Sequence, residues 1–163
     1  MEYMSVPLAI KDAVKAIESK KENTDLIKQN NGYLSSAYSN FTDELKEWFV
    51  SYYSVERGEV MIFRVDKEGA SFDSFSKLQK DGPGGHLDIR KVKVPAAKAL
   101  EIASKKNKSA AEKTLIMLDG MDKCMWIVNF FTKSLDLISL QIDAKNGKVL
   151  KETKSSLIVG YSK

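Results

Sequence analysis

The 163-residue chain carries 26 basic and 22 acidic side chains for a net charge of +4, with 43% hydrophobic and 29% charged residues, a balance that excludes a disordered chain. A single cysteine, Cys124, excludes an intramolecular disulfide framework. The basic side is nearly all lysine, the arginines being Arg57, Arg64 and Arg90, so the charge reads as solubilising and no nucleic-acid partner is expected.

Val6-Pro7 opens the chain's first helical pattern, proline suiting a first turn because its missing N–H would be an orphan there. Leu8, Ala9, Ala13, Val14, Ala16 and Ile17 recur at helical spacing opposite Lys11, Asp12, Lys15 and Glu18, which predicts an amphipathic helix to about Lys20. Lys20 to Asn31 is polar and ends in Asn30-Asn31-Gly32, a turn signal that also suits the cap of a short helix. Tyr33 to Phe41 reads equally as strand or irregular segment. Glu44 to Ser54 alternates as a strand, with Trp48, Val50 and Tyr52 on one face and Phe49, Ser51 and Tyr53 on the other. Arg57-Gly58 marks a hairpin turn into Glu59 to Asp66, and Lys67-Glu68-Gly69 turns the chain again into Ala70 to Phe75.

Residues 73 to 91 link two halves, with Asp81-Gly82-Pro83-Gly84-Gly85 as the most flexible point. A phosphate loop there would need a helix directly after it, whereas Leu87-Asp88-Ile89 reads as extended. Val94-Pro95 then matches Val6-Pro7, and Ala96, Ala99, Leu100, Ile102 and Ala103 carry a second helical stripe to about Lys106. Ser109 to Lys113 reads as a polar connection or helical turn, Thr114 to Leu118 as a strand and Asp119 to Asp122 as a turn. Lys123 to Thr132 reads as a central strand with Cys124, Trp126, Val128 and Phe130 on one side. Leu137 to Asp143, the Asn146-Gly147 turn and Lys148 to Thr153 complete a meander. Leu157 to Tyr161 is an apolar tail expected to add an edge strand or fill a gap.

Two stretches are near copies. Trp48-Phe49-Val50-Ser51-Tyr52-Tyr53-Ser54 and Trp126-Ile127-Val128-Asn129-Phe130-Phe131-Thr132 share one order of aromatic, apolar and hydroxyl residues. Each is followed by an apolar run ending in an acidic residue and a glycine, Asp66 to Gly69 and Asp143 to Gly147. The pattern predicts an α+β protein of two halves, each one helix packed on an antiparallel β-meander, because connections this short suit antiparallel strands. The halves are placed at residues 1–80 and 94–163, joined by a linker at 81–93.

The second half resembles a PepSY domain through Ala97 to Ala103, Met125 to Phe130, and the hairpin Ile142-Asp143-Ala144-Lys145-Asn146-Gly147-Lys148-Val149-Leu150. The likeness covers about residues 94 to 152. The first half resembles that family more faintly, through Trp48-Phe49-Val50 and Val65-Asp66-Lys67-Glu68-Gly69. The resemblance implies a cystatin-like fold and a non-catalytic role in binding or restraining another protein.

No reactive constellation stands out. His86, the only histidine, reads as a solvated loop residue, and Cys124 as a buried small hydrophobe. Asp66 and Asp143 read as acceptors of backbone N–H groups within their own turns. Asp119, Asp122 and Asp143 lack the alternate-residue spacing of a calcium loop, so neither metal nor cofactor is expected. Functional weight falls on the aromatic pairs Tyr52-Tyr53 and Phe130-Phe131, of which one member each must leave the helix-covered face. Phe49, Tyr53, Ile127, Asn129 and Phe131 are accordingly the candidate binding residues, on an outer sheet face that takes a protein or peptide or seals the halves together.

The competing reading is a small-molecule carrier or enzyme whose cavity, between helix and curved sheet, is lined by Met61, Met117, Met121 and Met125. A homodimer through the Leu157 to Tyr161 tail is a third option. The N-terminus lacks a basic region followed by an apolar core, and no window approaches the roughly 18–20 apolar residues of a membrane span. A cytoplasmic chain without a membrane partner is expected.

Overall fold

The computed structural model describes residues 9–77, 85–108, 110–120 and 123–158. Helices α1 (Ile10–Glu18) and α2 (Lys21–Gln29) precede strands β1 (Gly32–Phe41), β2 (Trp48–Ser54), β3 (Glu59–Asp66) and β4 (Gly69–Ser76). A 3-10 turn at Ile89–Lys91 and helix α3 (Ala96–Lys106) precede β5 (Ala111–Asp119), β6 (Met125–Thr132), β7 (Asp136–Asp143) and β8 (Val149–Ser156). All eight strands form one antiparallel sheet in the order β4-β3-β2-β1-β5-β6-β7-β8. Two four-stranded meanders thus run outward from a shared seam, where β1 and β5 pair from Ser36↔Asp119 to Phe41↔Thr114.

The helices cover one face of this sheet. In α1, Ile10, Ala13, Val14 and Ile17 are buried, the i, i+3, i+4, i+7 set that makes a single stripe. Asn23 of α2 is also buried, its Nδ2 donating to the carbonyls of Ile17 at 3.0 Å and Ala70 at 3.5 Å, which ties both helices to β4. Helix α3 presents Ala99 and Ala103, small residues that let it sit close against the second meander.

Beneath the helices lies one continuous core. Trp48 and Trp126 are both buried, with ring centroids 6.0 Å apart, although they belong to different meanders. They hold matching places, each on the second strand of its meander and opposite the residue that precedes the turn aspartate: Trp48 faces Val65 and Trp126 faces Ile142. Trp126 Nε1–H donates to the Val94 carbonyl at 2.8 Å, fixing the entry to α3. Tyr52 reaches from the same face to donate its hydroxyl to Glu18 at 2.7 Å. The turn aspartates act alike, Asp66 Oδ1 accepting from Glu68 N and Asp143 Oδ1 from Lys145 N, each at 2.8 Å. Gly147, at φ +83°, supplies the left-handed residue that the second of these turns needs.

Several elements differ from the sequence expectation. Lys21–Gln29 is a full helix, so the first meander carries two helices; it was hidden because Leu26 and Ile27 are its only large apolar residues. It stops where Asn30 Nδ2 caps the Leu26 carbonyl at 3.0 Å and Asn31 turns left-handed at φ 51°. The ambiguous stretch Tyr33 to Phe41 is β1, at the centre of the sheet. Strand β6 is therefore not central, because β1 and β5 hold that position. Strand β5 begins at Ala111, three residues before the expected start, since Ala111 pairs with Thr132. Leu87-Asp88-Ile89 is extended only as far as Asp88, whose side chain then caps the 3-10 turn by accepting from Arg90 N.

The tail does not form a further strand over the described residues. Strand β8 runs on to Ser156 and is itself the edge, with Leu157 and Ile158 beyond it 40% and 50% exposed. Val6-Pro7, Asp81 to Gly84, Ser109, Met121-Asp122 and the end of the tail from Val159 lie outside the described residues.

Candidate functional site

With helices on one face, the sheet's other face is its least covered broad surface among the described residues. Cross-strand register places Arg64, Phe49, Tyr38, Met117, Ile127 and Gln141 side by side in one row over β3, β2, β1, β5, β6 and β7. The four central members are apolar or aromatic and only half-buried. Tyr38 and Phe49 stack at 5.2 Å. Burial chiefly, with Asp73 and Glu47 adding to it, raises the Tyr38 phenol above its ordinary value and keeps its proton as a donor. At one margin Arg64 is held by Glu47 at 2.8 Å and Asp66 at 3.6 Å.

All five residues selected from sequence lie on this face, but they do not make one patch. Phe49 and Ile127 share the central row, three strand spacings or about 14 Å apart. Tyr53 and Phe131 each lie four residues further along strands of opposite direction. They therefore occupy diagonal corners of the sheet, displaced about 13 Å from the row each way. Tyr53 belongs to a separate cluster with Tyr33 at 5.5 Å, and Tyr33 in turn stacks on His86 at 4.6 Å. Asn129 stands between Leu115 and Ser139, and its Oδ1 is buried without a hydrogen-bond partner. Tyr38 and Met117, which join Phe49 to Ile127, are not among the five, because in the sequence Tyr33 to Phe41 reads equally as strand or irregular segment and Met117 as a cavity residue, so their pairing across the β1–β5 seam is not seen there.

The remaining candidates for chemistry are structural. Cys124 is buried, and burial first, then the charges of Asp143 and Asp88, push its thiol up and away from the nucleophilic thiolate. No group of three or more metal-ligating side chains occurs among the described residues. The methionines expected to line one cavity are dispersed: Met61 is buried in the core, whereas Met117 and Met125 sit on the outer face and Met121 lies outside the described residues. An open cleft of about 720 Å³ lies instead between α1 and the link before α3, among Lys11, Lys15, Glu18, Ile89, Arg90 and Lys93. Its Arg90 is already taken by Asp88 in a two-pronged pair of 3.0 and 2.9 Å, which holds the Asp88 carboxyl down at about 2. No described helix is long and apolar enough to cross a membrane.

Over the described residues these features define an α+β protein with three helices laid on one side of an eight-stranded antiparallel sheet. Among solved structures, a "putative lipoprotein" from Clostridium difficile 630 is similar in fold, with a TM-score of 0.55 over 93% of this chain and 94% of that one, at 17% identity. No protein-family model matches the sequence, and no curated protein matches it significantly.

Proposed function

We propose that the chain is a non-enzymatic binding or regulatory module that recognises a protein or peptide through the outer face of its sheet. The observation that carries this reading is the half-buried row Phe49, Tyr38, Met117 and Ile127, which spans four strands on the face that no described helix covers. Such a surface, apolar at the centre and polar at its margins, has the anatomy of a recognition site. In the same reading the two meanders are related PepSY-like, cystatin-like units joined edge to edge. Support for that comes from the matching places of Trp48 and Trp126 and from the identical turn bonds of Asp66 and Asp143. A cytoplasmic site of action accompanies the reading; the Clostridium difficile neighbour bears the name "putative lipoprotein", and fractionation of cells making the full-length protein decides the compartment.

Affinity capture with the wild-type chain, with Tyr38→Ser in the central row and with Phe131→Ser at a corner of the same face tests the surface. Weaker capture at an almost unchanged melting temperature supports the proposal, because a half-buried residue on an uncovered face contributes little to folding. Loss of stability would assign Phe131 to the core.

A further inference from the structure

We propose that the partner taken by the outer face is a second copy of this chain, docked sheet on sheet about a two-fold axis parallel to the strands above the β1–β5 seam. This deepens the reading of that face as a recognition surface and rests on it. The size of the face suits such a partner. Eight strands at about 4.8 Å spacing and some seven residues at about 3.3 Å give a face of roughly 900 Å². A stable interface needs about 800 Å² from each side, and a peptide lying across the row would leave most of the face open.

The axis follows from what each residue meets. Rotation about the strand direction lays β1 over the other copy's β5 and β2 over its β6. Tyr38 then stands over Met117 and Phe49 over Ile127, each contact occurring twice because a two-fold interface is self-complementary. Every contact in this central set pairs an aromatic ring with a flexible or branched aliphatic chain, which is the kind of packing that fills a space between two sheets.

Charge favours the same axis. On the β3–β4 side Arg64 is flanked by Glu47 and Asp66, and Asp73 of β4 adds a third carboxylate whose charge reaches Tyr38. At the opposite margin Lys151 of β8, beside Gln141, faces outward. Rotation about the strand direction lays the β3–β4 side, with its carboxylates, over the other copy's β7–β8 side, with Lys151, whereas the alternative axis across the strands sets each margin against its like. The chosen axis also lays Arg64 over Gln141, whose side-chain amide oxygen is an acceptor for the guanidinium.

The test uses the full chain. Light scattering coupled to gel filtration should give twice the 18.3 kDa chain mass for the wild type and a single chain mass for Ile127→Lys, with circular dichroism showing that the variant is folded. Independently, Phe49→Cys and Ile127→Cys are made separately in a Cys124→Ser background and treated with a short bis-maleimide. The mixture of the two should cross-link into dimers, and each alone should not. A folded wild type that stays monomeric across micromolar concentrations overturns the self-pairing, while recognition of a foreign protein is judged separately by capture with Phe131→Ser. A dimer that survives Ile127→Lys, or cross-linking as strong with Phe49→Cys alone as in the mixture, overturns the proposed face or its axis.

Discussion

Replacing Trp126 by phenylalanine probes the core at the point where the two meanders meet. The indole is buried, donates to the Val94 carbonyl at 2.8 Å and lies 6.0 Å from the Trp48 ring. Phenylalanine keeps an aromatic ring but leaves the Val94 carbonyl without its donor, a loss of about 1–3 kcal/mol for a buried acceptor. The smaller ring also leaves a gap of at least methyl size, at about 1 kcal/mol. The two effects give a loss of about 2–4 kcal/mol, or about 4–16 °C in melting temperature for a chain of this length. Urea denaturation followed by circular dichroism measures it, with an unchanged denaturant slope showing that the folded state is intact.

The same experiment carries a second arm. If the core is continuous, Trp126→Phe and Trp48→Phe interact, and the double variant should depart from additivity by about 0.5–1.5 kcal/mol, the range of aromatic pairs in contact. Strict additivity, or a single-variant loss below about 1 kcal/mol, would refute the reasoning from a shared core.

Other perturbations test separate parts of the molecule. Tyr52→Phe retains the edge contact with Phe63 at 5.5 Å and removes the bond to Glu18, at an expected cost of about 1 kcal/mol at neutral pH. Burial first and Glu18 second raise the Tyr52 phenol in the fold, so the folded state binds that proton more tightly than the unfolded chain. Its stabilisation is complete below the unfolded value of about 10 and is lost as pH rises above it; the stability gap between wild type and Tyr52→Phe should therefore narrow in alkaline denaturation curves. Gly147→Ala places a Cβ at φ +83°, 3.3 Å from Ile102 Cδ1, and should cost about 1–2 kcal/mol by thermal melting; a neutral outcome contradicts the turn geometry. NMR titration should find the Asp88 carboxyl near 2 in the wild type and higher in Arg90→Ala, where the backbone N–H of residue 90 still holds it below the free value; an unmoved value would contradict the two-pronged pair.

Strands β2, β3, β6 and β7 were legible in the sequence because large apolar residues alternate along them and Arg57-Gly58 or Asn146-Gly147 punctuates the chain. Strand β1 was not, since Ser35, Ser36, Ser39 and Asn40 carry no hydrophobic signal. Its burial comes from neighbours on both sides, with Ala37 and Ser39 fully covered in the centre of the sheet. Alternation correctly assigned Phe49, Tyr53, Ile127, Asn129 and Phe131 to one face, because side-chain period along a strand is a local property. Their separation was illegible, because it depends on strand order and direction across the seam, which no local pattern encodes. The same gap hid Tyr38 and Met117, whose relation to Phe49 and Ile127 exists only once β1 lies against β5.

The claim that the helix-free face recognises while the helix-covered face folds is tested most directly by the double variant Phe49→Ser, Ile127→Ser. Measured side by side, its melting temperature should remain within a few degrees of the wild type, since half-buried surface positions shift stability little, while both self-association and partner capture fall to background. A large drop in melting temperature together with undiminished association by the remaining folded protein would contradict that division of labour.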